Sequence, residues 1–327
     1  MISRLLKMPN KNFTVQNARL RAGILNKIRQ FFLNRNVMEV DTPLLSRGVS
    51  TDCHLDVFSS KFHPDGYTDS PKSTTLYLQT SPELLMKRLL ADGFPDMYQI
   101  CKVFRNGEHG RIHNPEFTML EWYRLNFGMH ELINETAELF REVLGEHAVV
   151  KSSYRDLFFK HTGLDPLEST DRELLSFCRS KNSEPPPCPS KSDILNYMMS
   201  EFVEPGMPED TFLFVHDFPA EQAILAVLNP GDKRTAFRFE CYFNGVELCN
   251  GFEELNDPQE NRKRMAEENE KRSSIHKPTL PIDENFLNSL KDLPPCSGVA
   301  VGLDRLILLA SGRKNLENVV SFTFNDC

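Results

Sequence analysis

Ser297-Gly298-Val299-Ala300-Val301-Gly302-Leu303-Asp304-Arg305-Leu306-Ile307-Leu308-Leu309 decides the reading of this chain. Small residues alternate with aliphatic ones as far as Asp304-Arg305, and an unbroken apolar run follows. The alternation is that of a strand and the run that of a helix, with one arginine where they meet. Glycines at 298 and 302 leave one strand face bare enough for a flat ligand to approach the backbone. Arg305 can then aim a guanidinium at a phosphate.

Two further segments extend the pattern. Between Val103-Phe104 and Phe117-Thr118-Met119-Leu120-Glu121-Trp122-Tyr123 lies a polar loop marked by Gly107, Gly110 and Pro115 and carrying Arg105 and Arg111. Apolar runs around such a loop predict two antiparallel strands joined by a basic connection suited to a polyphosphate. Nearer the start, Leu20, Ile24, Ile28, Phe31 and Phe32 recur at helical spacing, and residues 37–42 read as a strand stopped by Pro43.

In this order the three segments, at about 19–45, 103–123 and 297–309, resemble the three signature motifs of class II aminoacyl-tRNA synthetases. Gln79-Thr80-Ser81-Pro82-Glu83-Leu84, His113-Asn114-Pro115-Glu116-Phe117 and Gly251-Phe252-Glu253-Glu254-Leu255-Asn256-Asp257-Pro258 are similar to the lysyl branch. The resemblance implies an α+β fold, an antiparallel sheet flanked by helices, in one domain over 1–327 with an insertion at about 150–210. The first motif starts near Asn17, which leaves no room upstream for an OB-fold anticodon-binding domain. That shape resembles the truncated lysyl-tRNA synthetase paralogues that attach β-lysine to a lysine of translation elongation factor P.

The resemblance also implies roles. Arg105 would bind the α-phosphate and the attacking carboxylate and Arg305 the γ-phosphate. Asn106, Gly107, Asn114, Phe117, Leu248 and Gly302 would complete the ATP site. Glu247 and Glu254 would hold Mg2+, a hard cation that takes oxygen ligands alongside substrate phosphates. For a substrate with two amines, Glu83 would receive the amine nearer the carboxylate and Tyr123 with Glu254 the distal one, while Ser81, Pro82 and Ala300 would complete the substrate site. Glu240 is a further acidic candidate. Two positions depart from the family wording: Gly107 stands where a glutamate is usual, so that its contact would be lost or supplied by Glu108, and Ala300 replaces a glycine. One added methyl in a pocket discriminates by about 1–3 kcal/mol.

Composition narrows the function classes. The chain has 327 residues, 40% of them hydrophobic, and a formal net charge of −8, enough for a large core and without the general basic character of a nucleic-acid binder. Lys87-Arg88, Lys102, Arg105 and Arg111 are the candidates for a local basic patch. Eight cysteines show no paired zinc spacing and read as reduced thiols; His109 and His113, four apart, are too few for a zinc site. The apolar run in Met1–Pro9 is too short for a secretory signal, and no stretch approaches the roughly 20 apolar residues that span a bilayer. These features predict a cytoplasmic protein without a membrane partner.

Elsewhere, residues 63–73 read as a surface loop, Leu76 to Thr80 as a strand, Ser81 as the cap of a helix with Pro82 in its first turn, and His130 to Leu144 as a helix. Pro185-Pro186-Pro187-Cys188-Pro189 marks a linker or insertion edge. Asn244-Gly245 predicts a two-residue hairpin turn that sets Tyr242 opposite Glu247 and Glu240 opposite Cys249, with Arg238, Glu240 and Glu247 on one face. Residues 258–272 read as a charged helix with a solvated face, paired Glu260 to Arg264 and Glu267 to Lys271.

The function expected is ATP-dependent activation of (R)-β-lysine, lysine less well, and its transfer to elongation factor P by a homodimer joined near Leu20 to Pro43. A small tRNA-charging enzyme and a non-catalytic sensor on the same fold are the alternatives.

Overall fold

The computed structural model describes residues 12–68, 70–185 and 189–327. The run at 1–9, residue 69 of the polar loop and residues 186–188 of the proline cluster lie outside them. The chain order is α1 (Val15–Leu33), β1 (Met38–Glu39), β2 (Leu45–Ser46), β3 (Ser59–Phe62), β4 (Thr74–Leu78), α2 (Glu83–Ala91), β5 (Met97–Phe104), β6 (Glu116–Leu125) and α3 (Met129–Leu144). It continues with β7 (Ala148–Ser153), α4 (Tyr154–Thr162), α5 (Asp171–Ser180), α6 (Lys191–Met198), β8 (Thr211–Pro219), β9 (Thr235–Phe243), β10 (Val246–Glu253), α7 (Pro258–Ser274), α8 (Glu284–Ser289), β11 (Cys296–Gly302) and α9 (Leu303–Ala310).

Eight strands form one sheet in the order β1-β5-β6-β11-β10-β9-β8-β7, and β2-β4-β3 form a small second one. The expected antiparallel sheet is corrected to a mixed one: the inner pairs are antiparallel, but β1 lies parallel to β5 and β7 parallel to β8. Parallel neighbours need long crossovers. Residues 40–96 supply one, and α4 to α6 supply the other.

The first-motif helix is capped by Thr14, whose Oγ1 accepts the Asn17 N–H at 3.2 Å. It buries Ile24, Ile28, Phe31 and Phe32, whereas Leu20, expected on that stripe, is 37% exposed. Phe32 stacks on Tyr98 at 4.3 Å and meets Trp122 edge-on at 5.3 Å, which fixes α1 on the sheet. The strand expected at 37–42 shrinks to Met38–Glu39, and the one expected at 76–80 lies at Thr74–Leu78. α2 starts at Glu83 with Pro82 as its cap residue; Ser81 still accepts the Glu83 N–H, at 3.0 Å.

Along β11 the alternation read from the sequence sorts the two faces. Val299 and Val301 join the core formed with Phe140 of α3 and Leu306 of α9. Gly298, Ala300 and Gly302 point to the opposite face. The 150–210 region builds a cluster of its own, in which Tyr154, Phe158, Leu174, Leu195 and Val203 pack against Leu213 and Val215 of β8.

Candidate active site

Strand register lays functional groups in a row on the open face. Gln99 pairs with Glu121, Glu121 with Ala300, Ala300 with Asn250, and Asn250 with Glu240. Glu240 was expected opposite Cys249; a bulge between Glu247 and Cys249 shifts the register by one and so completes the row. The turn itself is as expected, with Glu247 opposite Tyr242.

A cavity of about 710 Å³ opens over this face. Of the expected residues, Arg105, Asn114, Phe117, Glu247, Leu248, Ala300, Gly302 and Arg305 line it, together with Glu240. Its cationic end is built where the second and third motifs meet. Arg305 donates to the Glu247 carbonyl at 3.0 Å and to its carboxylate at 3.4 Å, and its other terminal nitrogen reaches His113 Nε2 at 2.5 Å. A guanidinium only donates, so His113 accepts through Nε2 and is neutral, in line with a pKa lowered by burial and by Arg305.

Arg105 pairs with Glu108 at 3.2 Å and lies 5.2 Å over the Phe117 ring. Glu108 therefore does make an arginine contact in this loop. Gly107 has φ +88°, a region that disfavours glutamate, and this accounts for the departure at that position. Asn106 donates its N–H to the Asp56 carbonyl at 2.8 Å.

The residues fit a nucleotide. Arg105, Arg238, Arg264 and Arg305 all line one cavity, Arg105 Nε is buried without a hydrogen-bond partner, and a Cβ at Gly302 would meet nothing nearer than the Arg305 stem at 3.5 Å. The protein itself leaves room for a side chain at this position.

The expected amine-binding residues sit elsewhere. Glu83, Glu121 and Glu254 gather around Lys87, which is 1% exposed and reaches Glu83 at 2.6 Å and Glu254 at 2.5 Å. Lys87, expected in a surface patch, is thus corrected to a core ion pair. Burial alone would lower its pKa, but Glu254 and Glu83 raise it. Glu121 takes the Ser81 hydroxyl and the Tyr123 hydroxyl, both at 2.6 Å. Burial and the Glu83 charge push its carboxyl up to about 7. Glu254 is raised too, by burial, against the pull of Lys87. A Cβ at Gly298 would overlap both the Tyr123 ring and the Glu254 carboxylate, so glycine there lets this cluster cross β11.

The structure therefore separates Glu247 from Glu254. One stands in the cavity beside Arg305; the other is committed to Lys87 at the far end of β10. Ser81 and Glu83 border a smaller recess of about 20 Å³ with Gln79 and Thr80, Pro82 being the cap residue between them. Among described residues, three metal-competent side chains come within 4.8 Å only at Asp52, Cys53 and Glu268.

Sequence reasoning missed Lys87 and Glu121. It also misread α7: Glu260 and Arg264 do pair, at 2.9 Å, but Lys271 pairs with Glu268 and Lys263 with Glu267. Arg264, Met265 and Glu268 wall the cavity. Arg272, 1% exposed, ties α7 to the Asp52 and Leu55 carbonyls and to Asp56.

The sequence profile of the family described as tRNA synthetases class II (D, K and N) matches residues 1–326. The "Elongation factor P--(R)-beta-lysine ligase" of Vibrio atlanticus is 45% identical over 315 residues, 95% of this chain and 96% of that protein. The chain belongs to the class II tRNA synthetase family, in the branch of these ligases. The relatives with the same name from Histophilus somni and Haemophilus influenzae are 44% and 45% identical, over 96% and 95% of this chain and 96% of each relative. As a class II synthetase-like ligase the chain is an ATP-using enzyme. Among the described residues no helix is long and apolar enough to cross a membrane.

Proposed function

We propose that this ligase activates (R)-β-lysine, and lysine less well, with ATP and passes the aminoacyl group to the ε-amine of a lysine on elongation factor P. The observation that carries the reading is that Arg105 and Arg305 line one cavity, with a buried cluster across the sheet in which Lys87 pairs with Glu83 and Glu254 while Glu121 takes the Ser81 and Tyr123 hydroxyls. Burial favours the neutral forms of Glu121 and Glu254, and an incoming ammonium would stabilise their charged forms.

In the first step a carboxylate oxygen of the amino acid attacks the α-phosphorus and pyrophosphate leaves. Arg105 neutralises the approaching anions and Arg305 the departing ones, so the two arginines do their work by position and charge. A divalent ion would add charge neutralisation alongside the phosphates, and Glu247, which lines the cavity beside Arg305, would hold it. In the second step the acceptor ε-ammonium gives a proton to the adenylate phosphate or a nearby glutamate, the amine attacks the acyl carbon, the bond from that carbon to the phosphate oxygen breaks, and AMP leaves.

Glu121, Tyr123, Glu254 and Glu83 would hold the two amines, with Ala300 between that cluster and Asn250. The exposed apolar side chains of Val15, Leu20, Leu33, Leu44 and Leu45 support a homodimer through the first motif. A cytoplasmic site of action accords with a translation-factor substrate. The test is pyrophosphate exchange into ATP: β-lysine should drive it, and Arg305→Ala should abolish it. Exchange that needs no amino acid, or that Arg305→Ala leaves intact, rejects the reading.

A further inference from the structure

The segment after α9 crosses back over the loop between β5 and β6. The Leu316 N–H donates to the Arg111 carbonyl at 3.1 Å, and Arg111 returns a guanidinium bond to the Lys314 carbonyl at 2.7 Å. Further on, the Phe324 N–H donates to Asn114 Oδ1 at 2.8 Å, and the Phe324 ring meets His109 edge-on at 5.7 Å. The same segment is anchored to α1, where Asn17 donates to the Asn318 carbonyl at 2.6 Å and Arg21 to the Val319 carbonyl at 3.4 Å.

Asn114 is the informative member. Its Nδ2 donates to the Glu116 carbonyl at 2.7 Å while its Oδ1 accepts from Phe324, so both ends of the amide are bound within the protein. These two bonds hold the Asn114 side chain, and with it the loop, while leaving one N–H and one oxygen lone pair of the amide for a ligand in the cavity. Arg105, Asn114 and Phe117 all line the cavity from that loop and its exit strand, and Leu316, bonded to Arg111 of the loop, lines it as well.

We propose that residues 314–324 form a clasp that sets the conformation of the β5–β6 loop for ATP, with Asn114 and Phe324 as positioning residues. This rests on the ATP-binding reading of the cavity, but the clasp itself has a readout free of it. Phe324 is 62% exposed, so its replacement leaves the core untouched. Phe324→Pro deletes both the N–H donor and the ring; Phe324→Leu deletes only the ring.

Two measurements on the full chain test the proposal. Trypsin cleavage after Arg111, followed by mass spectrometry, should quicken about two- to tenfold in Phe324→Pro, the worth of a hydrogen bond of ordinary net strength, and less in Phe324→Leu. In pyrophosphate exchange the KM for ATP should rise by a similar factor in Phe324→Pro, with the KM for the amino acid and kcat within twofold. Unchanged cleavage overturns the clasp whatever the enzyme does. Faster cleavage with equal losses in both KM values overturns its role toward ATP. A wild-type protein with no exchange, yet with the cleavage difference, would reject the proposed function while leaving the clasp standing.

Discussion

Lys87→Met is the most informative single change to the buried cluster. Lys87 neutralises Glu83 and Glu254 from a position 1% exposed to solvent, and methionine preserves its length without its charge. Removing one partner of a buried pair costs about 3–5 kcal/mol, because the remaining charge is left uncompensated. At roughly 2–4 °C per kcal/mol for a domain of this order of size, the midpoint of thermal unfolding should fall by about 6–20 °C near pH 8.

The pH dependence fixes the cause. Lys87 has a raised pKa and stays charged throughout the neutral range. Glu121 and Glu254 have folded-state pKa values raised above their unfolded ones. Stability from these carboxyls is therefore full below their unfolded values and is lost as pH rises through about 7 and beyond. Without Lys87 their repulsion grows, and protonation relieves it. The deficit of Lys87→Met should shrink by about half or more near pH 5.5. Differential scanning of wild type and variant at both pH values is the assay, with Lys102→Met, at a side chain 45% exposed, as the control that should move little. A deficit equal at both pH values, or one no larger than the control's, would refute the ion-pair reasoning.

Other outcomes follow from neighbouring contacts. Glu121→Gln should raise the KM for the amino acid about 10- to 100-fold, the worth of one charged hydrogen bond, and the wild-type KM should fall as pH rises through about 7, where Glu121 ionises; exchange kinetics across that range measure both. Gly298→Ala forces a methyl into the Tyr123 ring and Glu254 and should cost about 1–3 kcal/mol by urea unfolding. Asp304→Asn loosens Asp304 from Arg21, 2.6 Å away, and from the Thr118 N–H at 2.8 Å; a loss of roughly 1.5–3 kcal/mol is expected, read as a lower urea midpoint.

What the sequence revealed followed local periodicity. Alternation in 297–302 and the apolar run after Arg305 gave β11 and α9, and the polar loop between two apolar runs gave β5 and β6. Asn244-Gly245 gave the turn, but nothing local announces the bulge at Glu247 that moves Glu240 opposite Asn250. Charges spaced three and four apart in 258–274 look alike whether they face water or a cavity, so the sequence alone does not show that α7 walls one. Lys87 sits between Met86 and Arg88 on a helix whose buried face depends on α8 and β11, contacts distant in the sequence. Glu121 did carry a signal: a charge two residues before Tyr123 inside an apolar strand shares Tyr123's face, and its Tyr123 and Ser81 partners make burial tolerable.

The central claim is transfer of an activated β-lysine to a protein. The direct measurement offers purified enzyme ATP, magnesium and (R)-β-lysine, with elongation factor P in one reaction and total tRNA in another, and weighs each acceptor by mass spectrometry. The account predicts one added β-lysyl group on a lysine of elongation factor P and none on tRNA; charged tRNA beside unmodified elongation factor P would contradict it.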